Sequence, residues 1–298
     1  MTEGPPTGGA LRSLSRFSWR RPRVKVLGQI SAPVAAFLLV YVAALVALLI
    51  QGFWTTDSFT GAVIHSWTLD NFRAIADAPY PTIILRTLGM ATAVTVTCMV
   101  LAFPFAYFLV RVAGPRLRLA LLVATVLPLW VSYLVRVYSW RLILNPDGAL
   151  NWWLGKLGLP DQNIAYTNWA MWIVFTYIWF PFMVLPVYAA LERVPFSLVE
   201  ASADLGASGF TTLRRIVLPL AVPGLAAGSI FTFSLTLGDY IAPSLVGGPG
   251  SSLIGTVVFE NLGLANNAPF AAAFATVPLA IMAVYLAIMK RLGAFESL

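Results

Sequence analysis

The sequence predicts an all-α integral membrane protein with six transmembrane helices, and three observations carry that prediction. Of the 298 residues, 59% are hydrophobic and 10% charged, well below the roughly 25% charged residues typical of soluble domains. Six apolar stretches, approximately 30–50, 83–110, 119–137, 169–190, 223–245 and 269–289, each approach the ~20 residues that ~30 Å of hydrocarbon requires of a helix. Lys and Arg are distributed unequally between the connecting segments. With the N-terminus inside, 14 of the 19 fall on the cytosolic side, as the positive-inside rule demands. The net charge of +7 therefore reports orientation and contact with membrane lipid. It does not indicate nucleic acid, because the basic residues flank apolar spans and do not alternate with exposed aromatics.

The chain divides into a basic cytosolic segment, 1–28, and a six-span domain, 29–298. Arg12, Arg16, Arg20, Arg21, Arg23 and Lys25 alternate with Leu11, Leu14, Phe17 and Trp19, which suits either an amphipathic helix on the inner leaflet or a disordered basic tail. The following apolar run is long enough to span, so the segment reads as uncleaved. Pro104 in the second span, Pro128 in the third, and Pro181 and Pro186 in the fourth imply bends. Only a packed bundle around a cavity can satisfy the carbonyls that such bends release. The outward segments 51–81 and 141–168 carry Trp54, Trp67, Trp152 and Trp153 among aspartates, as an interfacial aromatic belt with short surface helices would. Gly224 and Gly228 form a GxxxG step that permits close helix approach. Cys98 is the single cysteine and lies in an apolar run, so no disulfide framework or thiolate metal cluster is expected.

The least apolar interior stretch is Ser197–Pro219. It predicts two short helices. Ser197 and Glu200 have the spacing of a capping box, Gly206 is placed to end the first helix, Ser208 can cap the second, and Pro219 closes it after Arg214 and Arg215. Glu200-Ala201-Ser202, with Gly206, Ile216 and Pro219 at the expected intervals, resembles the EAA loop of ABC importer permeases. Ser202 replaces the second alanine of the pattern. The resemblance implies that the loop, 193–219, is a cytoplasmic coupling helix. Glu200, Ala201, Ser202, Asp204, Gly206, Ile216 and Pro219 would then serve a helix-in-groove contact with a separate ATPase subunit.

The fifth span ends in Gly238-Asp239-Tyr240, followed by Pro243 and Gly247-Gly248. A carboxylate at that depth must face water or a partner, never lipid. This string, together with Tyr133-Leu-Val-Arg136-Val-Tyr138-Ser-Trp140, Gly255, Asn267 and Pro269, is similar to spermidine/putrescine-type permeases over roughly residues 80–290. It is closer to the first than to the second permease subunit of that operon type. The resemblance implies a type I importer fold, two copies of a cytoplasmic ATPase, a second permease subunit and an external solute-binding protein. It also implies an inner-membrane location with both termini cytoplasmic, and a small cationic solute, polyamines first, with opines or amino-acid-like compounds as alternatives. Asp239, Tyr240, Arg136, Tyr133 and Trp140 are the candidate pathway residues. Asp239 either meets the solute or pairs with Arg136. At Pro269-Phe270-Ala271 the chain departs from the resemblance, which implies a glycine after the proline, and different packing of the sixth span against the fifth is expected.

Enzymatic readings fail on chemistry. Gly206-Ala-Ser208-Gly209 matches the serine motif of rhomboid proteases, but the only histidine, His65, is upstream and outside, where it cannot serve as base. The only Gly-Lys, Gly155-Lys156, precedes Leu157 and makes no phosphate loop. No His, Cys or carboxylate cluster has metal-ligand spacing, and the chain is expected to need no cofactor of its own. A cation channel or secondary transporter built on Asp239 would need an inverted repeat or several intramembrane charges, and the sequence has neither.

Overall fold

The computed structural model describes residues 22–57 and 60–291. Residues 1–21 of the basic segment, Trp19 among them, lie outside the described residues, and residues 22–28 are part of a helix that continues into the first span. Helix α1, Pro22–Gln51, forms a unit by itself. Its apolar residues Phe37, Leu39 and Val40 are exposed, as on a helix surface that hydrocarbon covers.

The second unit begins at Gly52. A two-residue hairpin, β1 (Thr55–Thr56) and β2 (Val63–Ile64), pairs antiparallel, and a short helix α2 covers Asp70–Ala74. The Asn71 amide holds this segment in place by donating to the Gly52 carbonyl at 2.9 Å and the Trp54 carbonyl at 2.7 Å. Surface helices were expected here; the hairpin was not, because two-residue strands leave no periodicity to read.

Three helices make the core: α3 (Tyr80–Arg111), α7 (Asn168–Glu192) and α9 (Gly209–Gly238). On α3, Val94, Cys98, Ala102 and Ala106 recur every fourth residue and are fully buried, giving a narrow stripe of mostly small side chains on one face. Met171, Val174, Phe175, Ile178 and Met183 of α7 fill the space against it. The GxxxG step works as expected. A Cβ on Gly224 would sit 2.5 Å from the Ala190 Cβ, and one on Gly228 would sit 2.6 Å from the Met183 Sδ, so α9 meets α7 nearly backbone to backbone. Pro104, Pro181 and Pro186 all remain inside their helices.

Two spans depart from the straight helices expected. The third is broken: α4 (Pro115–Val126) tightens into a 3-10 turn at Leu127–Trp130, Val131 is extended, and the segment Tyr133–Lys156, which opens with α5 (Tyr133–Leu144), leaves at 99°. Pro128 lies in that turn, which accounts for part of the break. The fifth begins earlier than expected, because α9 runs unbroken through Pro219. A π turn at Leu213–Val217 precedes the proline, so Pro219 falls in the first turn of a fresh α segment, where its missing N–H costs little. The far end of α9 stops at Asp239, whose ψ of 132° is extended, and a short α10 (Ile241–Val246) follows.

Helix α6 (Ala149–Lys156) is the second surface helix, and α8 (Phe196–Asp204) connects α7 to α9. Helices α11 (Ile254–Gly263) and α12 (Ala268–Arg291) complete the unit. Asn267 accepts from the Phe270 N–H at 3.3 Å and from the Thr56 hydroxyl at 3.0 Å, fixing the start of α12. Phe270 packs with Ile83, Val257 and Phe274, so this end of α12 rests on α3 and α11. Its contact with α9 comes further along, where Tyr285 stacks on Phe233 at 4.3 Å. Five helices are long and apolar enough to cross a membrane, or six when the bent pair counts as one span.

Candidate functional site

The break between α9 and α10 makes a site. Extended backbone at Asp239 turns its carboxylate back onto the chain. One oxygen accepts the Ala242 N–H at 2.9 Å, satisfying a donor in the first turn of α10, and the other accepts the Tyr133 hydroxyl. Tyr133 is the first residue of α5, so the break in the third span delivers it to the break in the fifth. Gly255 lets α11 close in from the other side, since a Cβ there would lie 2.5 Å from the Asp239 carbonyl oxygen. A recess of about 280 Å³ opens beside the carboxylate, lined by Trp179, Ser234, Leu235, Gly238, Tyr240 and Ile241.

Aromatic faces surround it. Trp179 stacks on Tyr133 at 5.8 Å, and Tyr240 stacks on Phe259 at 4.3 Å. The Arg136 guanidinium lies 5.7 Å from the Tyr133 ring centre, a cation–π distance, and its Nε and Nη1 are buried without a hydrogen-bond partner. Among the described residues Arg136 and Asp239 form no ion pair, because Asp239 is engaged by a phenol and an amide. Of the two roles the sequence leaves open for Asp239, the ion pair with Arg136 is not formed in this structure. Trp140 also stands apart: it packs on Tyr177 and lines a separate apolar recess of about 470 Å³ with Trp172 and Phe180. Trp179 was missed by sequence reasoning. Its buried indole N–H without a partner is unusual for tryptophan, and one tryptophan within an apolar span gives no cue to it.

The connector α8 is the second candidate. No capping box forms. Pro195 occupies the N-cap position, no side chain caps the helix, and Ser197 falls inside the first turn. Gly206 ends the helix with φ of 76°, and Ser208 caps α9 by accepting the Thr211 N–H at 3.3 Å. Glu200, Ala201, Asp204 and Pro219 are exposed and Ile216 is half-buried. Ser202 points the other way: it is buried and shares a 2.8 Å hydrogen bond with the Thr212 hydroxyl, which ties α8 to α9. Ser202→Ala should lower stability by about 1 kcal/mol, read as a reduced Tm of the solubilised chain. An unchanged Tm would show that the hydroxyl pair contributes nothing net.

A polytopic bundle with a carboxylate at a broken span and an exposed amphipathic connector defines a membrane permease, and similarity makes the assignment specific. Residues 99–294 match the family described as binding-protein-dependent transport system inner membrane component, and the chain belongs to that family, the permease subunits of ABC importers. It is 46% identical over 306 residues to the inner membrane ABC transporter permease protein YdcU of Escherichia coli K12, covering 98% of this chain and 97% of that protein. It is 36% identical over 228 residues to the spermidine/putrescine transport system permease protein PotB of Salmonella typhimurium LT2, covering 76% and 79%. The fold matches a chain in the crystal structure of a bacterial alginate ABC transporter in complex with alginate pentasaccharide-bound periplasmic protein. The TM-score is 0.73 at 19% identity, over 93% of this chain and 98% of that one.

Proposed function

We propose that this permease subunit imports a small cationic solute, a polyamine first, handed over by an external solute-binding protein and driven by ATP hydrolysis in two copies of a separate cytoplasmic ATPase. The observation that carries the reading is Asp239: a carboxylate at a helix break, beside a recess with Trp179, Tyr133 and Tyr240 at its edges. A carboxylate among aromatic faces suits an ammonium group, which gains both charge pairing and cation–π attraction. The similarity to PotB supports the same solute class.

The exposed face of α8, with Glu200, Ala201 and Asp204, is the surface offered to the ATPase, and Gly206, Ile216 and Pro219 shape its return into α9. On this reading α8 and both termini are cytoplasmic and the hairpin faces outward, as the distribution of Lys and Arg supports. A second permease subunit completes the pathway, because one chain supplies one such connector and one wall of the channel. The chain performs no catalysis and needs no cofactor of its own.

A second reading is favoured by Arg136. Its Nε and Nη1 lack a hydrogen-bond partner, leaving a cation that a carboxylate would neutralise, which suits an opine or amino-acid-like solute carrying both charges. Reconstitution in vesicles with ATPase, second permease and binding protein tests both readings. Labelled spermidine is expected to accumulate only with ATP and binding protein present. Uptake of an amino-acid-like solute in place of spermidine would favour the second reading, and ATP-driven uptake by this chain alone would overturn the subunit assignment.

A further inference from the structure

Helix α8 is tied to the bundle at both ends, by different helices. At its start, Arg111, the last residue of α3, donates from Nη2 to the Val194 carbonyl at 2.9 Å. The same guanidinium lies 5.7 Å from the ring centre of Phe196, the first residue of α8. Val194 is 5% exposed, so this bond is made away from solvent, where a carbonyl left unpaired is costly. At the other end, Ser202 bonds Thr212 of α9.

Each tether belongs to a long helix that reaches the Asp239 site. Helix α9 runs 30 residues without interruption, about 45 Å at 1.5 Å per residue, and ends beside Asp239. Helix α3 runs 32 residues, about 48 Å by the same rise. Near its far end the Arg86 Nη1 donates to the Ser252 carbonyl at 3.3 Å, and the Thr87 hydroxyl accepts the Ile254 N–H at 3.0 Å. The next residue, Gly255, is the one that packs on the Asp239 carbonyl. A displacement of α8 thus has two rigid routes to one carboxylate, through α9 directly and through α3 and the start of α11.

We propose that Arg111 is a positioning residue for energy coupling: its grip on the Val194 carbonyl makes α3 follow α8, so that α3 and α9 act on Asp239 together. This rests on α8 being the ATPase contact. Arg118, from α4, also holds the end of α3, donating from Nε to the Leu109 carbonyl at 2.8 Å and from Nη2 to the Val110 carbonyl at 3.0 Å. Its guanidinium also interacts with Tyr188 of α7, but it makes no hydrogen bond to Val194 or to α8 among the described residues, so it distinguishes a transmission role through α8 from simple stabilisation of that helix end.

The test uses the reconstituted complex, with a Ser234→Cys reporter in the recess. Cys98 is the chain's only cysteine and is buried, so the background is low. Three quantities are read: ATPase co-purification, ATP hydrolysis, and the change in thiol modification at the reporter when ATP and vanadate are added. Arg111→Met is expected to keep ATPase bound and hydrolysing while the nucleotide-driven change in labelling falls at least about tenfold. Arg111→Lys should recover part of it, and Arg118→Met should leave it as in the parent. A normal labelling response in Arg111→Met would overturn the proposal, and so would an equal loss in Arg118→Met. Loss of ATPase binding in both Arg111 variants would instead assign the residue to docking. Failure of the parent chain to retain ATPase would overturn the importer reading itself, and is distinguishable because it precedes any substitution at Arg111.

Discussion

Glu200→Lys is expected to reduce uptake to background while the chain still inserts and folds. Glu200 is exposed on α8, and with no side-chain cap on that helix the carboxylate has no structural duty there. Exposed substitutions of this kind usually change stability by no more than about 0.5 kcal/mol. The loss must then come from docking. Just beyond α8, Leu205 is 88% exposed and Phe210, in the first turn of α9, is 72% exposed, apolar groups that gain only when a partner covers them. A lysine within that contact carries the wrong charge into a desolvated site, where truncating or reversing one partner costs 2–5 kcal/mol. ATPase co-purification should fall in parallel with uptake, and Tm should hold. Full ATPase retention and full uptake in Glu200→Lys would sink the assignment of α8.

Asp239→Asn is expected to lower spermidine uptake about 100-fold, the rate equivalent of ~2.7 kcal/mol, with the complex still assembled. Asparagine keeps an oxygen for the Ala242 N–H and turns its NH2 toward Tyr133, whose hydroxyl oxygen can accept where it donated before, so the helix break survives while the charge is lost. Asp239→Ala removes both acceptors and should in addition destabilise the chain by about 1 kcal/mol, the ordinary cost of losing a cap. Exchanging the charges, Asp239→Arg with Arg136→Asp, should not restore uptake, because the two residues are joined through Tyr133 and not by an ion pair. Recovery in the exchanged variant would contradict the observed geometry. Normal uptake in Asp239→Asn would remove the carboxylate from the pathway.

The spans, the glycine step and the Ser208 cap were legible because each rests on local chemistry: hydropathy over about 20 residues, small side chains four apart, a hydroxyl ahead of free N–H groups. The same local rules misled at Ser197. A capping box needs the chain to enter the helix at that serine, and here the N-cap is Pro195, two residues sooner, with helix geometry from Phe196. Pro219 misled for a similar reason. A proline ends a helix only when its N–H would have been used, and the π turn before it altered which bonds were required. Asp239 was recognisable as a buried carboxylate, but its partner was not. Tyr133 and Arg136 lie one turn apart on α5 and carry equally suggestive chemistry. Which of them meets Asp239 depends on the 99° break, an angle set by tertiary packing.

That break also bears on how the chain enters the membrane. From Pro115 to Trp130 the third span offers twelve α-helical and four 3-10 residues, a rise of at most about 26 Å, short of the ~30 Å of hydrocarbon. At the break that follows, the Val131 N–H bonds the Pro128 carbonyl and the Ser132 carbonyl accepts the Arg136 N–H, each at 3.1 Å, so its polar groups are met by the protein as lipid could not meet them. Such a segment is a poor candidate for independent release into the bilayer during synthesis. Its insertion is expected to depend on helices made before and after it, α3 and α7, so that this part of the chain would enter the membrane as a cooperative assembly and not helix by helix.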